Sequence, residues 1–322
     1  MASALAEQIG VVETHPREFL SKTFPVKMGN SMPIAYGGCT VAVAVSAACS
    51  TVPPSFSPYS IFGHFHGPAS TEQKLYCSVE DIRNTRTFAT RRVQVKQKQP
   101  NGNFRTCLEL LADFHTPEPL ILQYSAPPTA TWPKPDDCPS VAGHVEALRV
   151  RGEVTLAQVT EFTRAMGAHL DFFETRACLN GVASQNLSGT AKEIITTQEN
   201  LPISSKTYAE WQRAKNTLQL PTENFAALAF LMDGALSFVP LTHNHLWFDD
   251  VAACSTLDFA LRIFAPSVKM ENWHLKERST SRAGSGRTYS EGRLWDVEGN
   301  LVASMTQQSI LRVKDADAQS NL

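Results

Sequence analysis

The amino-acid sequence lacks an excess of charge of either sign, and it lacks a long uninterrupted apolar run. Its 322 residues include 29 Lys plus Arg against 31 Asp plus Glu, which gives a formal net charge of −2 at pH 7. We therefore expect no binding surface for nucleic acid and none for an anionic membrane. The most apolar stretch, residues 225–241, is interrupted by Asp233 before it reaches the roughly 20 residues of a membrane span, so no span is predicted.

The first residues and the cysteines indicate a reducing compartment. Glu7 and Glu13 occupy positions where a secretory signal peptide needs an apolar run. The seven cysteines are odd in number, widely spaced and free of Cys-x-x-Cys pairs, which argues against a disulfide framework and a structural zinc site. A cytoplasmic location is predicted. The final Ser-Asn-Leu has the outline of the peroxisomal signal Ser-Lys-Leu without its basic residue, so peroxisomal import stays open.

Several motifs of common enzyme classes are also absent. There is no Gly-x-Ser-x-Gly elbow, no Gly-x-x-x-x-Gly-Lys-Ser/Thr phosphate loop and no dinucleotide fingerprint. His64 with His66, and His243 with His245, each place two imidazoles near one another, but no third ligand follows at a recognisable spacing. The sequence therefore predicts no metal site and no cofactor.

Proline, by contrast, is concentrated in one segment. Seven of the nineteen prolines lie between residues 116 and 140. Because proline has no N–H to donate, such a segment cannot join a sheet ladder or a helix interior and is expected to be an extended connector. It divides the chain into an N-terminal unit, residues 1–116, a connector, residues 117–140, and a C-terminal unit, residues 141–322.

The first unit contains a buried helix followed by strands. Residues 36–49 open with two glycines and continue with small apolar residues on all sides, which is typical of a buried helix. The alternation of Val41, Val43 and Val45 leaves a strand as the alternative. Strands are predicted at residues 59–66, 75–82, 87–97 and 105–115, and the Asn-Gly turn between the last two indicates a hairpin.

The second unit repeats this order. A helix is predicted at residues 221–239, strands at 255–264 and 273–279, and a hairpin from 287–297 and 301–313. Residues 169–178 and 208–214 are interpreted as strands that open the unit. The repeat of element order is an internal duplication, and it predicts an α+β fold with two buried helices, each enclosed by a curved antiparallel sheet.

Asp233 is the most informative residue of the second helix. An ionised carboxylate among apolar neighbours is costly unless it is hydrogen-bonded, and desolvation raises its pKa, which makes it a better base near neutral pH. The alternative is an Asp on a narrow exposed stripe of the helix. No carboxylate occurs from residue 21 to residue 71, which includes the first helix. One active site per chain is therefore predicted.

The first half contains the segments AYGGCTVAVAVSAACSTVP, SIFGHFHGP and VEDIRNTRTFATRRVQVKQ, and the second half contains FLMDGALSF, STLDFALRIFAP and GRLWDVEGNLVASMTQQSILRV. These segments resemble the type II (TesB-like) acyl-CoA thioesterases. The resemblance covers residues 19–313 and is weakest between 117 and 205. It implies a double hot-dog fold, hydrolysis of acyl-CoA or another acyl thioester without a covalent intermediate, and assembly into a homo-oligomer.

The resemblance also implies that Asp233, Thr256 and Gln307 hold the attacking water. Asp233 would accept a proton from the water, while the Thr256 hydroxyl and the Gln307 amide fix its direction. The sequence departs from the family at Phe259, where the family has His, and Gln308 with Ser309 replaces the usual Glu-Gly. Because that His is not one of the three, Phe259 bears on pocket shape and substrate more than on hydrolysis.

Two further groups are needed for acyl-CoA chemistry. A backbone N–H at the Gly-Gly turn before the first helix, with Gly38 as the candidate, would stabilise the oxyanion. The CoA phosphates need basic side chains, and the sequence offers two clusters. Arg83, Arg86, Arg91 and Arg92 form one, and Lys276, Arg278, Arg282 and Arg287 form the other, with Arg91, Arg92, Arg282 and Arg287 as the candidate ligands. The second cluster is favoured because a Gly-rich loop lies beside it.

Other functions remain open from the residues alone. The enzyme could release an acyl or polyketide chain from an acyl carrier protein. Phe259 and the divergent middle segment are the observations that suggest this function. A hot-dog hydratase usually pairs a His with an acidic residue, and no His lies in the second helix. A non-catalytic acyl-binding module would have no need of Asp233, Thr256 and Gln307 together.

Overall fold

The computed structural model describes residues 4–29 and 32–314, so the Ser-Asn-Leu end of the chain lies outside the described residues. In these residues twelve strands form one antiparallel sheet. The strands are β1 Val11–His15, β2 Glu18–Ser21, β3 Ser57–Phe65, β4 Tyr76–Asn84, β5 Phe88–Lys98, β6 Phe104–His115, β7 Phe173–Ala177, β8 Tyr208–Ala214, β9 Val251–Ile263, β10 His274–Gly284, β11 Arg287–Trp295 and β12 Leu301–Val313. The helices are α1 Ala4–Ile9, α2 Gly37–Cys49, α3 Val141–Val150, α4 Leu156–Phe172, α5 Val182–Gln185, α6 Pro221–Asp233 and α7 Val239–His243.

The strand order shows that the sheet is built from two equivalent halves. It runs β1-β2-β4-β5-β6-β3-β9-β12-β11-β10-β8-β7. Read from its far edge, the second half is β7-β8-β10-β11-β12-β9. Each of its strands comes six strands later in the chain than the strand at the same place in the first half. The two halves join where β3 pairs with β9. The internal duplication expected from the element order is confirmed, and the sheet continues across the junction.

Helices α2 and α6 pack against each other and form the centre of the core. Every residue of α2 after Gly37 is buried, as are residues 224–233 of α6. Full burial requires that every backbone N–H and C=O be bonded internally, which a helix achieves by itself, and this decides for the helix over the strand in residues 37–49.

Two predicted boundaries are wrong. The helix expected at residues 221–239 ends at Asp233, because Gly234 (φ −56°, ψ 121°) leaves the helical region and Ala235 is left-handed at φ 65°. The strand expected at residues 169–178 is helical until Phe172, and only Phe173–Ala177 is extended. A capping box between Thr155 and Gln158 starts this long helix, whose buried face includes His169.

The connector is extended and tied to the C-terminal unit. Residues 116–134 form no helix or strand. The buried Glu277 carboxylate accepts hydrogen bonds from Thr129, from the Ala130 N–H and from the Trp132 indole. These contacts fasten the proline-rich segment across β10. The exact unit boundaries remain a prediction.

Residues 221–243 are the one helical stretch in the described part that is long and apolar enough, by length and composition, to cross a membrane. Within the fold, 89% of its most apolar window is buried. A helix that is buried on all sides in a protein core is apolar all round, and burial against α2 and the sheet accounts for the hydropathy of this stretch in the same way.

Candidate active site

Asp233 is the last residue of α6 and meets the first turn of α2. Its side chain is only 7% exposed. A Cβ built on Gly37 would lie 3.1 Å from Asp233 Oδ2, so this oxygen faces the start of α2. Burial raises the pKa of Asp233 to about 6, against the opposing effects of Gln307, Lys276 and the Gly38 N–H. The carboxyl therefore titrates close to neutral pH.

Gln307 and Thr256 extend from Asp233 as a hydrogen-bonded chain. Gln307 Nε2 donates to Asp233 Oδ1 at 2.6 Å, and Thr256 Oγ1 donates to Gln307 Oε1 at 3.1 Å. An ionised carboxylate can only accept, so the amide nitrogen must face Asp233 and the amide oxygen must face Thr256. The structure thus brings together all three residues that were expected to act together.

A β-bulge in β9 turns Thr256 toward this chain. Phe259 lies opposite Gln307, and Thr256 lies opposite Ser309, so Leu257 is an extra residue in the ladder. Side chains alternate along a regular strand, so residues three apart, such as Thr256 and Phe259, would face opposite sides if β9 had no bulge. The bulge places both on the side of Gln307.

A cavity of about 360 Å³ opens beside this chain. Asp233 and Thr256 both line it, whereas Gln307 is 0% exposed and lies behind the carboxylate. The expectation that the Gln307 amide contacts the water directly does not match this position. The remaining wall is largely apolar and includes Met28, Ile34, Ala35, Phe65, Ala69, Phe238 and Leu257.

The first turn of α2 supplies backbone donors to the site. The N–H groups of Cys39 and Thr40 donate to the Tyr36 carbonyl, and the Gly38 N–H donates to Asp233. The Gly37 N–H has no hydrogen-bond partner among the described residues, and Gly37 lines the cavity. The oxyanion candidate is therefore corrected from Gly38, which is already bonded, to Gly37.

Two of the four candidate phosphate ligands are wrong. Arg91 is 2% exposed, and it bonds Thr51 and pairs with Asp81 inside the N-terminal unit. Arg92 pairs with Glu80 and Glu109 on the other face of the sheet. Neither guanidinium lines the cavity.

Arg282 and Arg287 are exposed at the end of the β10–β11 hairpin, outside the cavity wall. Arg105, which the sequence did not single out, is closer to the opening. Its guanidinium donates to the Pro68 carbonyl and lies against Gly67, and both of these residues line the cavity. Arg105 forms no ion pair within the described residues, so its charge is available at the rim.

Lys276 and Arg278, which the sequence placed in the second basic cluster for the CoA phosphates, do not line the cavity and lie behind Asp233 instead. Both are buried on β10, and both donate to the carbonyl of Gly234, next to Asp233. The described residues hold no cluster of three His, Cys, Asp or Glu side chains that could bind a metal ion.

Family models of two domains match the chain. The acyl-CoA thioesterase N-terminal domain matches residues 24–115, and the acyl-CoA thioesterase C-terminal domain matches residues 169–311. Together they cover more than half of the chain, in the order of the two halves of the sheet. The chain belongs to the type II acyl-CoA thioesterase family.

Relatives in this thioesterase family match over most of their length. Acyl-coenzyme A thioesterase 8 of Mus musculus is 25% identical over 291 residues, which are 89% of this chain and 83% of the relative. Acyl-CoA thioesterase 2 of Haemophilus influenzae is 20% identical over 298 residues, which are 87% of this chain and 88% of the relative.

Solved structures agree on the fold. Acyl-CoA thioesterase II TesB2 of Mycobacterium marinum superposes with a TM-score of 0.70 at 20% identity, over 97% of this chain and 99% of that chain. A hot-dog protein of Alicyclobacillus acidocaldarius superposes with a TM-score of 0.69 at 18% identity, over 98% of this chain and 100% of that chain. The expected α+β double hot-dog fold is confirmed, and this type II thioesterase is a thioester hydrolase. That activity decides against the hydratase and against the non-catalytic module.

Phe259, which departs from the family pattern, lies at the junction of the two hot-dog halves. It is opposite Gly63 of β3, and a Cβ built on Gly63 would lie 2.5 Å from its ring. The ring of Phe65, which lines the cavity, lies 6.0 Å from that of Phe259. Phe259 thus supports the cavity wall from behind, beside its cross-strand partner Gln307.

Proposed function

We propose that the protein hydrolyses acyl-CoA by direct attack of a water molecule, with Asp233 as the general base. The observation that carries this proposal is a buried carboxylate at the wall of an apolar cavity, with one oxygen fixed by Gln307. The other oxygen, Oδ2, faces Gly37 and is the acceptor for the water proton. A base that titrates near pH 6 is largely ionised at pH 7 and is still a strong enough proton acceptor.

Thr256 supplies the second contact to the water. Its proton is donated to Gln307, so its oxygen lone pairs remain for a water proton. Asp233 and Thr256 together direct the water oxygen toward the thioester carbon. Gln307 acts through both of them, because its amide orients the carboxylate on one side and the hydroxyl on the other.

The tetrahedral intermediate is stabilised at the start of α2. The free Gly37 N–H lies at a helix N-terminus, where the helix dipole favours the developing oxyanion. The carbon–sulfur bond then breaks, and the CoA thiolate takes up the proton that Asp233 accepted. The acid leaves with one oxygen from water, and no bond to the protein forms.

The CoA end of the substrate is proposed to leave the cavity past Arg105. The unpaired guanidinium at the rim is suited to a phosphate. We expect Arg105→Ala to raise KM for acyl-CoA about tenfold, the equivalent of about 1.4 kcal/mol. The KM for a short thioester of the same acyl group without phosphates should not change.

The same assay on Arg287→Ala tests the hairpin pair as the competing phosphate site. Equal KM values for wild type and Arg105→Ala, together with a raised KM for Arg287→Ala, would transfer the assignment to the hairpin. If neither variant changes KM for acyl-CoA while a carrier-bound acyl chain is the better substrate, release from a carrier protein becomes the favoured function. The homo-oligomer and the cytoplasmic or peroxisomal location remain predictions.

A further inference from the structure

Lys276 is a buried cation bound to the end of the helix that carries Asp233. Its side chain is 0% exposed. Nζ donates to the carbonyl oxygens of Leu231, Met232 and Gly234 at 2.5, 2.9 and 3.0 Å. These carbonyls belong to the two residues before Asp233 and the one after it. The proposed base is therefore enclosed in the chain segment that Lys276 holds.

The three carbonyls favour the charged form of Lys276. An ammonium has three N–H donors and no lone pair, which matches three acceptors. A neutral amine would turn its lone pair toward one of the carbonyl oxygens, which is repulsive. Burial lowers the pKa of Lys276 well below its usual value, as does Arg278, while Asp233 and Glu210 raise it. The hydrogen bonds therefore favour the ammonium in a place where burial opposes it.

The position of Asp233 makes this charge important. The C-terminal end of a helix carries partial negative charge, which disfavours a carboxylate there. Asp233 is the last residue of α6. The Lys276 ammonium neutralises these carbonyls, and its charge favours the ionised form of Asp233.

The backbone around Asp233 also depends on the two cations of β10. The chain turns sharply after Asp233 through Gly234 and a left-handed Ala235. Lys276 and Arg278 both bond the Gly234 carbonyl inside this turn. Left without these donors, the buried Gly234 carbonyl would lose both hydrogen bonds, and the turn that directs Asp233 into the cavity would lose its support.

The other titratable and charged groups near Asp233 do not replace Lys276. Arg278 is paired with Glu210 of β8 at 3.0 Å, so its charge is largely neutralised. The Tyr36 hydroxyl, before α2, donates to the Phe230 carbonyl at 2.7 Å. His169 of α4 faces Gly234, where a built Cβ would lie 3.5 Å from its Nδ1, and His66 lies across the cavity.

In contrast, no carboxylate of the described residues lies within ion-pair distance of Lys276. We propose that Lys276 is a positioning residue, which holds the end of α6 in the turn that directs Asp233 into the cavity and keeps its carboxylate in the basic form. The proposal rests on the proposed role of Asp233 as the base.

The test is the pH dependence of kcat/KM in Lys276→Met. Loss of the ammonium should move the acid limb of the profile up by about one unit, because a nearby positive charge no longer favours the ionised carboxylate. Activity should then fall about fivefold at pH 6, about tenfold below pH 5, and hardly at all at pH 9. If Lys276→Met does not fold, Lys276→Gln, which keeps two N–H donors but no charge, is measured in its place.

Lys206→Met is the matched control. Lys206 is equally buried, and its Nζ donates to the His243 carbonyl at the end of α7. Its loss should reduce stability and leave the acid limb in place. If a folded Lys276 variant keeps the acid limb of the wild-type pH profile while Asp233→Asn is inactive, the proposed role of Lys276 is wrong and that of Asp233 stands. Full activity of Asp233→Asn would instead remove the proposed base.

Discussion

Replacing Asp233 with Asn is expected to lower kcat/KM for acyl-CoA at least about 100-fold, the loss typical of a missing general base. Asparagine has the same shape, and its side-chain oxygen can still accept the Gln307 hydrogen bond, so the site should stay assembled. The loss would then measure proton transfer and not disorder. The measurement is release of free CoA thiol under steady-state conditions.

The internal duplication supplies the control for this variant. Helices α2 and α6 each span 13 residues, and Cys49 holds in α2 the place that Asp233 holds in α6. Cys49→Ala should keep wild-type kcat/KM, since the first half contributes the start of α2 and not a base. Equal losses in the two variants would indicate a general effect of disturbing the paired helices.

The same Asn variant should be more stable than the wild type at alkaline pH. Folding raises the pKa of Asp233 from 3.8 to about 6, so its contribution to the free energy of unfolding is full below about pH 4 and is lost as pH rises through about 6. The ionised, buried carboxylate thus costs at most about 3 kcal/mol at pH 8. A gain in Tm for Asp233→Asn at pH 8 but not at pH 4 would confirm that the buried charge costs stability, as is typical of catalytic groups.

Gln307→Glu is expected to produce the second large effect. It places a second carboxyl at the position from which Nε2 now donates to Asp233 at 2.6 Å. Two carboxylates so close cannot both ionise, so they will share a proton, and the acid limb of kcat/KM should rise by at least about two units. Activity at pH 7 should fall about tenfold or more and recover partly at pH 9.

Gln308→Glu is the control for this charge. Gln308 is adjacent in β12, and successive side chains of a strand point to opposite faces, so it faces away from Asp233. The variant adds the same charge to the same strand and should keep the wild-type profile. If a folded Gln307→Glu protein shows the acid limb of kcat/KM at the wild-type pH, Gln307 and Asp233 are not coupled.

Much of the fold follows from the sequence because its signals are local and strong. The all-round apolar helices at residues 37–49 and 221–233, and the hairpins around Asn-Gly and Glu-Gly-Asn, need no knowledge of distant contacts. The end of α6 was missed because the apolar run continues past Gly234, while the turn there depends on Lys276 and Arg278. Those partners lie more than 40 residues away.

The site was predictable in its residues and not in its geometry. The resemblance supplied Asp233, Thr256 and Gln307, but the bulge at Leu257 that turns Thr256 inward leaves no mark in the sequence. The inward direction of the Arg91 side chain, by contrast, could have been predicted from the sequence. Arg91 shares its parity with the buried Val93 and Val95 of β5, and strand alternation alone would have placed it inside.

The pH profile of kcat/KM for the wild-type enzyme, beside that of Asp233→Asn, tests most directly whether Asp233 is the base. We expect a wild-type acid limb with an apparent pKa near 6, below which activity falls tenfold per pH unit, and a residual activity in the variant that lacks this limb. An acid limb near 6 that persists unchanged in Asp233→Asn would contradict the claim that Asp233 is the base.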